Sequence, residues 1–205
     1  MWLKSQIESL TERVNEIQAI ISSDNQAIFV TPGSFTFNVP SGVTSVTVQC
    51  QGAGGSGAGV WERHGDWGAG AGGGSGAYAK AIIAVTPNSG IPVTIGAGGA
   101  SVSGEALGIA GGTTSFGSYI TCTGGGGSRN YEGNWIDGQA GNNGNPGNGG
   151  NSALGTGGTG YNWDCNGCVG QAGVGYGSGG GAGGDSVAGG AGAPGYVALR
   201  YGRDV

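Results

Sequence analysis

The N-terminal stretch of the chain places apolar residues at alternating spacings of four and three. These residues are Leu3, Ile7, Leu10, Val14, Ile17 and Ile21. Written as heptads, they occupy positions a and d, with β-branched residues at a, which is the pattern of a coiled coil. We therefore predict a coiled-coil oligomerisation stem over residues 1–25; the alternative is a single amphipathic helix packed on its own domain.

The residue types in this stem bear on the number of helices. β-branched residues at a with leucine at d favour a dimer, whereas Ile17 at d and Ile20 at g widen the apolar seam and favour a trimer. Three heptads are short, so the rest of the chain has to contribute contacts. We predict a homotrimer, with a dimer as the alternative.

After residue 26 the apolar period becomes two, which is typical of β-strands. Strands are predicted at residues 35–39, 43–50, 77–85, 91–95, 115–123 and 196–200. Three of them, 43–50, 91–95 and 115–123, run directly into glycine. The chain is thus predicted to be mainly β, with a small antiparallel β-sandwich inside a domain spanning 26–205. Its glycine-rich segments, within 51–76, 96–112 and 124–194, would gather at the distal end, opposite the stem.

Glycine accounts for 53 of the 205 residues. A collagen helix needs glycine at every third position together with much proline, but the spacing here is irregular and there are only 6 prolines. A flexible linker would contain few tryptophans, but this chain has 5. The remaining interpretation is a set of polyglycine-II-like extended segments, packed side by side and hydrogen-bonded through their backbones.

Charge excludes some partners. The formal net charge is −5 and only 9% of residues are charged, so nucleic acid is not an expected partner. No apolar run is long enough to insert into a membrane. The sequence from Gly52 to Gly57 matches G-x-G-x-x-G, but no helix is predicted after it, so no dinucleotide cofactor is expected.

Three breaks in the glycine runs combine aromatic rings with polar groups. The candidate binding residues are Trp61, Glu62, Arg63, His64, Asp66 and Trp67 in the first, Arg129, Tyr131, Glu132, Asn134, Trp135 and Asp137 in the second, and Tyr161, Trp163 and Asp164 in the third. Rings stack on sugar faces or fill pockets, while amides and carboxylates bind hydroxyl groups. The alternative is that the rings cap the glycine layers and replace the missing core.

The four cysteines leave several possibilities open. Cys165 and Cys168 form a Cys-x-x-Cys pair, which suggests a disulfide that braces a loop or else two free thiols. Cys50 and Cys122 lie near strand ends and are expected to be neighbours, either cross-linked or, as we prefer, two buried thiols. Only His64, Cys50 and Cys122 could complete a zinc site with the pair, so no metal is predicted.

The order of strands and glycine runs resembles the glycine-rich domains of bacteriophage tail-fibre and adhesin proteins. The resemblance is carried by residues 35–43, by 46–55 and by 91–99, and covers roughly residues 29–201. It implies a trimeric virion tail fibre whose variable loops, on polyglycine-II segments, attach the virion to a bacterial surface. The implied partners are a surface glycan or an outer-membrane protein and other virion tail proteins.

Two other classes of function remain as alternatives. A structural spike or decoration protein of the virion would use the aromatic breaks only to cap the fold. A polysaccharide-degrading tail enzyme would need a carboxylate pair, such as Glu62 with Asp66 or Glu132 with Asp137. Solvated loop carboxylates are much commoner than catalytic ones, so we do not predict an enzyme.

Overall fold

The described part of the chain consists of short β-strands and long glycine-rich segments. A computed structural model describes residues 6, 10, 13, 25–59, 70–104, 106–128, 147–161, 168–184 and 187–202. The strands are β1 Asn25–Phe29, β2 Gly33–Asn38, β3 Ser45–Gln51, β4 Tyr78–Ala84, β5 Gly90–Ile95, β6 Thr114–Phe116, β7 Ile120–Cys122, β8 Leu154–Thr156, β9 Val174–Tyr176 and β10 Tyr196–Tyr201. The prediction of a mainly β chain with antiparallel sheets is confirmed. Within the residues described, no helix could cross a membrane.

Two four-stranded sheets make up the sandwich, in the orders β1-β10-β3-β4 and β2-β5-β6-β7, and every pairing in them is antiparallel. β3 alternates its buried side chains Val46, Val48 and Cys50 with half-buried polar ones, as its period of two predicts. Phe116 and Leu199 are fully buried in the same core. A separate two-stranded antiparallel sheet of β8 and β9 completes the strands of the described part.

The strand prediction for residues 115–123 was wrong in one respect, because two strands lie there instead of one. Gly117 turns the chain with a φ of 54°, and Tyr119 N–H donates to Phe116 O at 3.1 Å. A left-handed φ of this kind is readily adopted by glycine and ends a strand. The sequence also gave no prediction for β1, β8 or β9. Two of these three strands contain only three residues, which is too short for a clear alternation.

The predicted stem falls mostly outside the described residues. Gln6, Leu10 and Arg13 have helical backbone, and the Leu10 side chain is 61% exposed. The coiled coil and its oligomeric state stay a prediction. The first residue of β1, Asn25, pairs with Tyr201. Because Tyr201 is the last residue of β10 and the glycine residues precede that strand, the stem would join the sandwich at the end away from the glycines.

Glycine-rich segments continue from the sandwich strands and form hydrogen bonds side by side. We call this assembly the glycine bundle; its described segments are residues 52–59, 70–77, 96–103, 106–113, 123–128, 147–151, 157–161, 168–173, 177–184 and 187–195. Each bond joins a backbone N–H of one segment to a backbone C=O of another. The bundle therefore satisfies its buried polar backbone without the use of sheets or helices.

Segment 52–59 lies at the centre of six neighbours. Its N–H groups donate in a rotation with a period of three: Gly52, Gly55 and Ala58 to segment 70–77, Ala53, Ser56 and Gly59 to 106–113, and Gly54 and Gly57 to 187–195. Its carbonyl oxygens accept from segments 96–103, 123–128 and 177–184. All eight residues, 52–59, are buried. Such a rotation requires a backbone with about three residues per turn.

Segment 177–184 is the second central segment and is also buried throughout. It is bonded to 52–59, 70–77 and 187–195, and on its other side to 147–151, 157–161 and 168–173. The two central segments therefore share two neighbours, 70–77 and 187–195. In cross-section, each central segment is therefore surrounded by six segments, one of which is the other central segment.

Candidate binding site at the distal end of the bundle

The described residues that flank the three aromatic breaks lie together at one end of the bundle. The first break separates Gly59 from Gly70, the second separates Ser128 from Gly147, and the third separates Tyr161 from Cys168. The flanking residues, or their immediate neighbours in the chain, are hydrogen-bonded to the central segments. The five backbone bonds are Ala58 N to Ala71 O at 3.2 Å, Ser128 N to Ser56 O at 3.1 Å, Ala182 N to Gly147 O at 3.1 Å, Tyr161 N to Ala182 O at 3.2 Å and Gly184 N to Cys168 O at 2.9 Å.

The two central segments reach this same end. Gly183 N–H donates to Ala58 O at 3.1 Å, so the last residues of 52–59 and 177–184 are neighbours. β3 feeds segment 52–59 from the opposite end. The described residues on both sides of each break therefore lie at the distal end, away from the sandwich.

Tyr161 is the single candidate binding residue that the structure describes. Its side chain is half-buried, and Gln171 Nε2 donates to the Tyr161 hydroxyl oxygen at 2.8 Å. This bond ties the ring to a neighbouring segment and fixes its position at the rim. The other fourteen lie outside the described residues: Trp61, Glu62, Arg63, His64, Asp66, Trp67, Arg129, Tyr131, Glu132, Asn134, Trp135, Asp137, Trp163 and Asp164.

Most of the residues predicted to form the coiled coil also lie outside the described part of the chain. Leu10 is described, whereas Leu3, Ile7, Val14, Ile17 and Ile21 are not. Every Asp and Glu of the chain also lies outside the described residues, so the carboxylate pairs considered for an enzyme stay a hypothesis. Within the described ranges, no group of His, Cys, Asp and Glu side chains could hold a metal ion.

Cys50 and Cys122 are free thiols in the sandwich core, next to the start of the bundle. Cys122 Sγ donates to Cys50 O at 3.3 Å, and Cys50 Sγ donates to Thr114 O at 3.6 Å. Burial and the neighbouring Cys122 raise the pKa of the Cys50 thiol far above its ordinary value. A thiol in such an environment is a packing residue and a poor nucleophile. Cys168, at the distal end, is disulfide-bonded.

Several buried polar side chains hold the bundle together, and sequence reasoning did not single them out. Ser56 Oγ accepts from Ile109 N at 2.8 Å, and Thr114 Oγ1 accepts from Gly96 N at 3.1 Å. Gln51 Nε2 donates to Gly76 O at 2.7 Å, where β3 passes into the bundle. These side chains satisfy backbone groups that the glycine segments leave unpaired. A lone polar residue inside a glycine run was the available signal for Ser56.

Comparison with known proteins agrees with the backbone architecture. No curated protein matches the sequence. A family model described as a glycine-rich domain matches residues 30–175, which include most of the sandwich and of the bundle. The chain therefore belongs to the glycine-rich domain family.

Proposed function

We propose that this chain is a fibre or fibre-tip protein of a bacteriophage virion, and that it attaches the virion to a bacterial surface. The observation that carries the proposal is that the described residues flanking all three aromatic breaks lie together at the distal end of the bundle. Tryptophan and tyrosine supply large contact areas at little cost in side-chain entropy, as in antibody loops. A bacterial surface glycan or outer-membrane protein is the proposed receptor, and other tail proteins are the proposed neighbours in the virion.

The glycine bundle is the scaffold in this proposal, and we propose that its segments are polyglycine-II helices. The rotation of donors with a period of three supports this assignment, because polyglycine-II has three residues per turn. Side chains are almost excluded from the two central segments, so the backbone itself forms the rigid core. A rigid core lets loops of any sequence project from one end.

The stem at the opposite end completes the arrangement. β1 begins at Asn25, which pairs with Tyr201 at the end of the sandwich that faces away from the bundle. Residues 1–24 precede it, and their heptads would join three copies there. A trimer then presents three distal ends in the same direction, which raises the strength of attachment through multivalency.

The test is binding of the purified full-length chain to a panel of bacterial strains and to an array of bacterial surface glycans. We expect Trp61→Ala and Trp135→Ala each to weaken binding about tenfold or more, since a hot-spot tryptophan contributes at least ~2 kcal/mol. Tyr119→Ala is the matched control, because Tyr119 is 52% exposed in the β6–β7 turn of the sandwich.

Circular dichroism and thermal unfolding show whether each variant is folded. Binding that is unchanged in both tryptophan variants, and again in Trp67→Ala and Trp163→Ala, would refute recognition by the aromatic breaks. Release of reducing ends from a host polysaccharide would instead identify an enzyme. No binding to any strain, with a folded and oligomeric protein, would favour a structural role in the virion.

A further inference from the structure

Three outer segments of the bundle lie side by side on one flank. Gly192 N–H donates to Gly99 O at 2.9 Å, which joins segment 187–195 to segment 96–103. On its other side, Ala188 O accepts from Gly170 N at 2.9 Å, which joins it to segment 168–173. Both central segments lie behind these three. The flank is therefore one continuous surface that is three segments wide.

Most outward positions on this flank carry small apolar side chains at every third residue, and the row of Ala97 and Ala100 ends at the exposed Ser103. The apolar residues at these positions are Ala97, Ala100, Val169, Ala172, Ala188 and Ala191, and we call them the alanine face. Four of them are exposed, Val169 to 53%, and Ala188 and Ala191 are half-buried. The three segments contain no charged residue. On the opposite flank, the outward positions include Gly126, Asn148 and Asn151, so the apolar character belongs to one flank.

The backbone N–H groups of the alanine face are also unpaired. Among the described residues, the N–H groups of these six form no hydrogen bond, although their neighbours in the same segments donate to the bundle. Ala188, Ala191 and Pro194 stand three residues apart and so lie in one row along the segment. Proline has no N–H group, and it is tolerated in this row because the N–H groups of Ala188 and Ala191 form no hydrogen bond either. Exposed rows of unpaired donors beside an apolar surface are suited to contact with another chain.

The sheet topology places this flank on the side of β1. Segment 187–195 leads into β10, segment 52–59 follows β3, and segment 70–77 leads into β4. The sheet order β10-β3-β4 is thus the same as the order of those three segments in the bundle. β1 is next in the sheet, beyond β10, and therefore lies toward the alanine face. Asn25, to which residues 1–24 are joined, lies on this same side.

We infer that the alanine face packs against other copies of this chain, around an axis that continues from the stem. The inference rests on the proposed trimer. Parallel stems would hold the copies side by side, with the flank nearest the stem turned toward the axis. Small side chains on this flank allow the bundles to approach closely, and the absence of charge avoids repulsion between identical chains. Three short heptads bind weakly by themselves, and this face supplies the contact area that they lack.

The experiment measures the dissociation constant of the full-length oligomer by sedimentation velocity over a range of concentrations. Ala100→Glu and Ala191→Glu each place an unpaired charge in the proposed interface, and we expect each to raise the dissociation constant about tenfold or more. Thr159→Glu is the matched control, since Thr159 is exposed on the neighbouring segment 157–161, away from the alanine face. Ala100 is exposed, so its substitution is compatible with folding even if that of half-buried Ala191 is not.

Hydrogen exchange provides a second readout on the unmodified protein. Amides of the alanine face have no partner within the described chain, so they should exchange quickly in the monomer and slowly in the oligomer. The interface is overturned if Ala100→Glu and Thr159→Glu have the same dissociation constant and if these amides exchange no more slowly in the oligomer. The alanine face would then contact solvent or a different protein. That result would leave the stem and the proposed function intact. A wild-type chain that is monomeric at high concentration would overturn the proposed trimer and this interface together.

Discussion

Addition of one methyl group at the centre of the bundle should damage it, whereas the same addition at its surface should not. A Cβ at Gly180, in central segment 177–184, would lie under 3.0 Å from the carbonyl oxygen and carbon of Gly190. Both atoms belong to backbone, which cannot rotate away as a side chain would. Gly126 is the matched control, since a Cβ there would meet nothing within 4 Å and its φ is outside the left-handed region.

The expected loss for Gly180→Ala follows from the contacts that have to move. Overpacking of a close-packed site costs about 1–3 kcal/mol. Displacement of Gly190 or Gly180 also strains the bonds Gly180 N to Gly55 O, Gly73 N to Gly180 O and Gly57 N to Gly190 O, each worth about 1 kcal/mol. We expect a destabilisation of roughly 3–6 kcal/mol, which is a large part of the ~5–15 kcal/mol that holds a domain folded.

The free energy of unfolding is measured by urea denaturation, followed by circular dichroism and by tryptophan fluorescence. Gly126→Ala should be neutral or stabilising by about 0.4–1 kcal/mol, since alanine restricts the unfolded chain. The reasoning is refuted if the two variants unfold at the same urea concentration. In that case the central segments would not be close-packed, and the hydrogen bonds described here would not hold them.

Two further predictions concern the sandwich. Phe116→Ala should lower the free energy of unfolding by about 3–5 kcal/mol, because Phe116 is fully buried. Ile82→Ala should change the same free energy by no more than about 0.5 kcal/mol, because the Ile82 side chain is 68% exposed. Urea denaturation distinguishes the two variants, and equal effects would contradict the assignment of Phe116 to the core. Because the pKa of Cys50 is raised, the folded state holds this thiol proton more tightly than the unfolded chain does. The contribution of Cys50 to the free energy of unfolding should therefore be constant below the ordinary pKa of 9.0. Above that pH it should fall by up to about 1.4 kcal/mol per pH unit. Thermal unfolding between pH 7 and pH 11 measures this fall, and Cys50→Ala should reduce it; an unchanged slope in that variant would exclude Cys50 as the cause.

The sandwich could be predicted from the sequence because its strands carry their own pattern. Val46, Val48 and Cys50 alternate with polar residues, and side chains that alternate in this way fix which face of β3 is buried. The turn at Gly117 was missed because Tyr119 and Ile120 continue the apolar run across it. Short strands such as β8 contain too few residues for a pattern to appear.

The neighbours within the bundle could not be predicted, because glycine has no side chain that would select a partner. The structure shows what selects it: the order β10-β3-β4 in the sheet passes directly into the order of segments 187–195, 52–59 and 70–77. For the candidate site, the aromatic breaks are visible in the sequence, but the meeting of their flanking residues at one end of the bundle depends on this order. The sequence could therefore indicate the type of the site, while its position required the fold.

The rotation of donors with a period of three restricts how the bundle can change in length. Insertion of one or two residues into segment 52–59 would turn every later residue by a third or two thirds of a turn. A buried side chain beyond the insertion, such as Ser56, whose Oγ accepts from Ile109 N, would then face a different neighbouring segment. Insertion of three residues restores the original direction and lengthens the segment by about 9 Å. Whole triplets, added together in neighbouring segments, therefore keep each buried side chain facing its present neighbour, and they move the distal end away from the sandwich in steps of one turn.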